Sequence, residues 1–320
     1  AEGGGSITAL PIIHGSADFS LAVRQVMLEH AFDCVAVPLP PSFQQPVERA
    51  IGELPTVSIV LGRETARFVT PWSPDEEDAA EPERDEPNCS YVPIDPCQGV
   101  ITALRVALGE HLPRRFIDLE TARFVPYTGV LPDPYALKKV ALERFAAAVL
   151  PSLSRLPEGQ PQDRVRHMAA RLRQLERQFH SILFVCSILD WPWIREAYVE
   201  QLACEREDDV VDEPQILQVE PRTLIFTLGE LPFITGLHER ARAELESDEN
   251  LSIDGVKELL LAARGTYLAE WRKRARPVTP HLLSLCLKYI RNLSLLDRRL
   301  TPDLYTIVTA AKQTVGDQFA

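Results

Sequence analysis

The sequence predicts an α/β fold: a mainly parallel sheet flanked by helices, followed by a helical C-terminal segment. Three observations carry this. Short, wholly apolar runs such as Cys34–Val37 and Ile182–Val185 read as strands covered on both faces. Amphipathic helical stretches alternate with these runs, and repeated strand–helix order implies parallel pairing. The last part of the chain keeps only helical patterning.

The elements follow in order. Ala9 to Ile13 is the first strand. A helix begins after it, with Ser16 or Asp18 as its N-cap. Phe19, Ala22, Val23, Val26 and Met27 form its buried stripe. Cys34 to Val37 is the second strand. A helix near Pro46–Leu54 leads to a third strand, Val57–Leu61. The strand pattern resumes at Tyr91–Ile94. A helix with Val100, Ile101, Leu104 and Leu108 inward then precedes strand Arg115–Ile117, which ends in Asp118. A helix-rich insertion, Tyr135 to Leu153, comes next. The helix Asp163–Phe179 buries Met168, Leu172, Leu175 and Phe179 and feeds strand Ile182–Val185. A strand and a helix occupy Ile216 to Glu246. Thr279-Pro280 and Thr301-Pro302 each read as an N-cap followed by a first-turn proline. Ala310 to Ala320 still reads as helix with no terminator, as in a chain cut from a longer protein. The opening Ala1–Ser6 reads as a non-native leader outside the fold.

Two domains suit the 320 residues, at about 150 residues each. The first spans 7–204 and carries an acidic mobile loop at 73–90. The second spans 214–320, beyond a second acidic loop at Glu205–Glu213. The net charge of −12 disfavours a general nucleic-acid or anionic-membrane binder. Much of it is local, since Ser73–Pro87 holds eight acids and one arginine. Such a segment buries too little apolar area to pack. The six cysteines lack metal-type spacing, and Cys34, Cys186 and Cys286 lie in apolar runs. A cytoplasmic chain with reduced thiols is the expectation. No apolar run approaches the roughly 20 residues of a membrane span.

Candidate site residues sit at strand ends. His14 precedes Gly15, which admits close backbone approach. It is a base or metal ligand, or else a satisfied structural histidine. Asp118 orients His14 or binds a cation, or else forms a turn. Arg164 and Arg166 open a helix. Arginine suits a fixed carboxylate or phosphate contact, the alternative being an ion pair between segments. Of the two, Arg166 is the stronger candidate, and His167 is a surface residue. Asp190, Trp191 and Trp193 form a turn that either walls a ligand or packs the core. Cys97 lacks a sequence-adjacent base to make it a nucleophile. Arg272-Lys273-Arg274-Ala275-Arg276 suits a helix C-terminus. The nucleotide-loop, zincin and serine-hydrolase motifs are missing.

These strand ends also carry a family resemblance. His14 stands where the TraB/ChaN-like (erythromycin-esterase-like) superfamily has the histidine of Gly-Thr-x-His. Phe32-Asp33-Cys34-Val35-Ala36-Val37-Pro38 resembles the family's Pro-Asp-Val-Val-x-Val-Glu. Leu104–Glu120 resembles the helix, turn and strand ending in Ile-Asp, and Gln162–Ile194 the Arg-x-Arg-x-Met helix with its following strand. The chain is most similar to an uncharacterised bacterial family in that group, through His14-Gly15-Ser16-Ala17 and Arg115-Phe116-Ile117-Asp118-Leu119. Genes of that family lie near MoxR ATPases and von Willebrand A domain proteins. The resemblance implies protein partners of those two kinds. It also departs from the pattern, with Pro38 at the family glutamate and Leu189 or Asp190 at the family histidine. It thus implies a degenerate or repurposed domain acting as a binding or interaction module. The alternative is a hydrolase with His14 as base or ligand and Asp118 and Arg166 on the substrate. His14, Asp118 and Asp190 are the candidate ligands for a divalent metal, which needs about three for a catalytic site. Arg164, Asp190 and Trp191 are candidates for ligand binding.

Overall fold

The computed structural model describes residues 5–64, 89–243, 254–299 and 301–320, with the side chains of Tyr135 and Lys138 left out. Four strands form a parallel sheet: β1 (Ser6–Ile12), β2 (Cys34–Val37), β5 (Arg114–Phe116) and β6 (Ser181–Ser187). Their order is β1-β6-β2-β5, so β1 and β5 are the two edges.

Side-chain alternation divides this sheet between two cores. Val35, Val37, Leu183 and Val185 face one side. There they meet α1 (Ala17–Glu29), α2 (Gln44–Ile51), α3 (Gly99–Gly109) and α4 (Leu142–Val149). Cys34, Ala36, Ile182, Phe184 and Cys186 face the other, against α5 (Gln160–Leu175) and α6 (Trp191–Val199). Both faces of β2 and β6 are therefore dry, as their continuous apolar runs require.

Three other strands depart from the parallel expectation. β3 (Ser58–Arg63), β4 (Cys89–Pro93) and β7 (Gln215–Gln218) make a separate antiparallel sheet in the order β4-β3-β7. The reason lies in β3, where Ser58, Val60 and Gly62 are buried and the residues between them are not. That period of two marks a one-sided strand. β7 lies beyond the acidic segment at Glu205–Glu213, yet it pairs with β3.

After β7 come α7 (Leu224–Thr227), α8 (Pro232–Ala243), α9 (Gly255–Trp271), α10 (Pro280–Leu296) and α11 (Leu304–Thr314). The last three enclose a third core around Leu260, Tyr267, Leu283, Cys286, Ile290 and Ile307. No helix among the described residues is long and apolar enough to cross a membrane.

Several boundaries need correction. Ser6 is no leader residue, because it opens β1 opposite Ser181. The acidic loop expected at 73–90 lies outside the described residues, except for Cys89 and Ser90, which belong to β4. Thr279 does cap α10, accepting the Leu282 N–H at 3.3 Å. Thr301 does not cap α11; Asp303 does, accepting the Thr306 N–H at 2.8 Å. Thr301 is held by Asp133 instead. α11 ends at Thr314 rather than running to Ala320.

Candidate functional site

The carboxyl ends of the parallel strands gather the predicted residues, but in two places. At one edge, β1 runs into the turn Ile13–Ser16. The Gly15 N–H donates to Gln98 Oε1 at 3.1 Å, and His14 Nδ1 lies 3.1 Å from the same oxygen. A backbone N–H can only donate, so it fixes which end of the Gln98 amide faces the turn. His14 must then donate through Nδ1–H, which leaves Nε2 with a free lone pair. The ring is exposed at the mouth of a cleft of about 1070 Å³. The protein packed around its base lowers its pKa below the usual histidine value, while the Gln98 bond pulls upward. Water at the ring's exposed side limits that depression.

This cleft lies between the β1–α1 turn, residues 131–134, the α7–α8 connection and the start of α11. The α7–α8 connection is tied down tightly. Asp95 is 1 % exposed and accepts N–H groups from Cys97 at 2.8 Å and Gly229 at 2.9 Å. Burial raises its pKa, against the pull of those two bonds. The Ala17 N–H donates to Glu230 Oε1 at 3.3 Å. Phe226 and Tyr305 stand on the cleft rim at 83 % and 79 % exposure.

At the other edge, Asp118 follows β5 and is almost fully buried. Arg164 Nε lies 3.1 Å from both of its oxygens, and Arg164 Nη2 also bonds Oδ2. The Leu119 N–H adds a bond to Oδ1 at 2.8 Å. The Arg164 guanidinium sits 4.8 Å from the centre of the Phe124 ring. These residues close one end of a second cleft of about 610 Å³, which also takes in Arg63, Tyr91 and Glu120. Glu120 accepts the Ser42 N–H and Oγ–H at 2.6 and 2.9 Å.

Asp190 follows β6 and is buried, with the Tyr127 hydroxyl donating to Oδ1. Burial pushes its pKa up to about 7, helped by the Asp118 charge. A carboxyl in that state is divided between its protonated and charged forms near neutral pH.

His14 and Asp118 therefore do not share a cleft. Three strand-to-strand steps separate β1 from β5, about 14 Å at ~4.8 Å each. Among the described residues, no three His, Cys, Asp or Glu side chains converge as a metal set. The donors proposed for a divalent metal do not fit one, since both Asp118 oxygens are already held by Arg164.

Arg164, not Arg166, makes the ion pair with Asp118. Arg166 acts on the Cys204 thiol, which burial chiefly raises and its charge lowers. His167 is half-buried, with Nδ1 3.9 Å from Cys204 Sγ. Trp191 packs against Phe184 at 6.5 Å, and Arg155 covers the Trp193 ring at 4.9 Å. Cys97 is a buried thiol raised well above its usual pKa by burial. Sequence reasoning missed Gln98, Gly229 and Glu230. The last two lie more than 200 residues from the turn they touch, and no motif marks them.

Comparison of the chain with protein-family models, with curated proteins and with solved structures finds no match.

Proposed function

We propose that this chain is a TraB/ChaN-like domain of degenerate or repurposed type, serving as a cytoplasmic ligand-binding and protein-interaction module in a MoxR-type multi-protein system. One observation carries this reading. Two large aromatic side chains, Phe226 and Tyr305, stand in solvent on the rim of the His14 cleft. Exposed apolar groups bordering a concavity mark contact surfaces. The Asp118–Arg164 pair fits the same reading, because each group satisfies the other and neither is left to act on a substrate. Partners of the MoxR ATPase or von Willebrand A class follow from the resemblance at His14–Ala17 and Arg115–Leu119.

The test is calorimetric titration of the purified chain with a MoxR-type ATPase and with a von Willebrand A domain protein from the same organism. Binding to one of them should weaken at least tenfold in Phe226→Ser and Tyr305→Ser, with circular dichroism unchanged. No binding to either, or binding indifferent to both substitutions, sinks the reading.

A hydrolase reading keeps one specific support: His14 lines the large cleft, and its bond to Gln98 through Nδ1 leaves the Nε2 lone pair unused. Such a nitrogen can take a proton from water or a hydroxyl. Under that reading His14→Ala abolishes ester turnover without unfolding the chain. Under the binding reading it changes little.

A further inference from the structure

Charge is unevenly placed along this chain. The net charge is −12, yet residues 254–320 hold eleven Lys and Arg against six Asp and Glu. The helical unit is therefore basic on an acidic protein. Its cations gather in and beside α10. That helix contains no Asp or Glu, and Lys288 and Arg291 are exposed on it. Arg272, Lys273, Arg274 and Arg276 are exposed in the link that joins α9 to α10. Among the described residues, none of these six side chains has an ion-pair partner. The outward arc of α10 is also apolar in part. Leu285, Tyr289 and Leu296 recur on it at helical spacing, and Leu296 is 79 % exposed. An unburied apolar stripe edged by cations suits an acidic contact surface.

A surface of matching chemistry stands elsewhere on the same chain. Glu205–Glu213 carries six acids, one arginine and Val210, which is 95 % exposed. The segment is fixed in place. The Asp209 N–H donates to the Glu120 carbonyl at 3.0 Å, and the Asp209 carboxylate accepts the Ala122 N–H at 2.9 Å. Arg206 lies 3.6 Å from the Asp163 carboxylate. Glu205, Glu207, Asp212 and Glu213 are exposed, with no ion-pair partner among the described residues. Val211 and Asp212 border the Asp118 cleft, whereas α10 leads into Arg298 and Arg299 on the wall of the His14 cleft.

We infer that the α10 face binds the Glu205–Glu213 segment of a second copy of this chain, head to tail. Lys288, Arg291 and the Arg272–Arg276 run meet its unpaired carboxylates, and the apolar stripe covers Val210. The two patches differ, so the contact is heterologous and each copy keeps its other patch open. At physiological salt the Debye length is about 8 Å, which screens repulsion between the acidic bodies more than it weakens pairs in contact. The contact uses side chains and leaves the sheet edges alone. It goes beyond the partner reading and uses neither Phe226 nor Tyr305.

The test is sedimentation velocity of the whole chain over a concentration series at near-physiological salt. Wild type should gain mass with concentration below roughly 1 mM, the weak end of specific binding. Lys288→Glu with Arg291→Glu, and separately Glu207→Lys with Glu213→Lys, should each weaken association roughly tenfold or more, because like charges then face each other. Mixing the two doubly substituted chains should restore it, since every facing pair is again opposite in sign. Val210→Ser should weaken it with the unfolding midpoint unchanged. Phe226→Ser should leave it in place, which separates this contact from the partner reading. A wild type that stays monomeric throughout overturns the inference. So does association that survives either double substitution or fails to return in the mixture. A monomer that instead binds phosphatidylserine vesicles through Lys288 and Arg291 overturns it in favour of an anionic membrane surface.

Discussion

Gly229 and Gly15 meet backbone to backbone. A Cβ added at Gly229 would fall 2.3 Å from both the carbonyl oxygen and the α-carbon of Gly15. Gly15 itself sits at φ +74, a conformation that other residues adopt with strain. Two glycines more than 200 residues apart thus form one crossing, and neither strand of that crossing can give way without moving the His14 turn.

Gly229→Ala should therefore destabilise the fold by about 1–3 kcal/mol, the usual cost of overpacking. The denaturation midpoint measures it. The His14 and Ala17 resonances should move with it, while the residues around Asp118 stay put. A midpoint unchanged from wild type would mean that the crossing opens freely.

The Asp118–Arg164 pair predicts a non-additive pattern. Arg164→Met alone strands a buried carboxylate and should cost about 3–5 kcal/mol. Combining Asp118→Asn with Arg164→Met should recover a large part of that loss, because no buried charge is left unpaired. A double-mutant cycle with a coupling near zero would show that the two groups do not depend on each other.

Asp190 predicts how stability tracks pH. Its carboxyl titrates near 7 in the folded chain, far above the ordinary aspartate value of 3.8. The folded state therefore binds the extra proton between those two values. The stability tied to that proton is fully present below about pH 4 and is lost as pH rises towards 7. For one proton the slope is at most about 1.4 kcal/mol per pH unit. Asp190→Asn cannot titrate, so its stability relative to wild type should grow across that window and then level off. Parallel curves for the two proteins would place the Asp190 pKa at its ordinary value.

The parallel sheet was legible because β2 and β6 are buried on both faces and carry unbroken apolar runs. The antiparallel sheet was less so. Which sheet a strand joins depends on distant partners, and Gln215–Gln218 shows little in sequence to announce its pairing with β3. Thr301-Pro302 misled because a cap signal and a turn signal look alike, and Asp303, two residues on, takes the cap. His14 and Asp118 were found as strand-end residues. Their separation was not, since chain order does not give strand order. Gln98 and Glu230 carried no signal, because an amide or a carboxylate in a loop acquires a role only from what folds against it.

The β3–β7 pairing also governs how the protein can be taken apart. A fragment ending at Ala203 keeps β3 and loses β7, so Ser58–Leu61 would face water along a bare hydrogen-bonding edge. Such an edge recruits strands from other molecules. The unit that looks separable along the chain is therefore sticky when isolated, and the short strand contributed from beyond the acidic segment acts as a built-in guard against self-association.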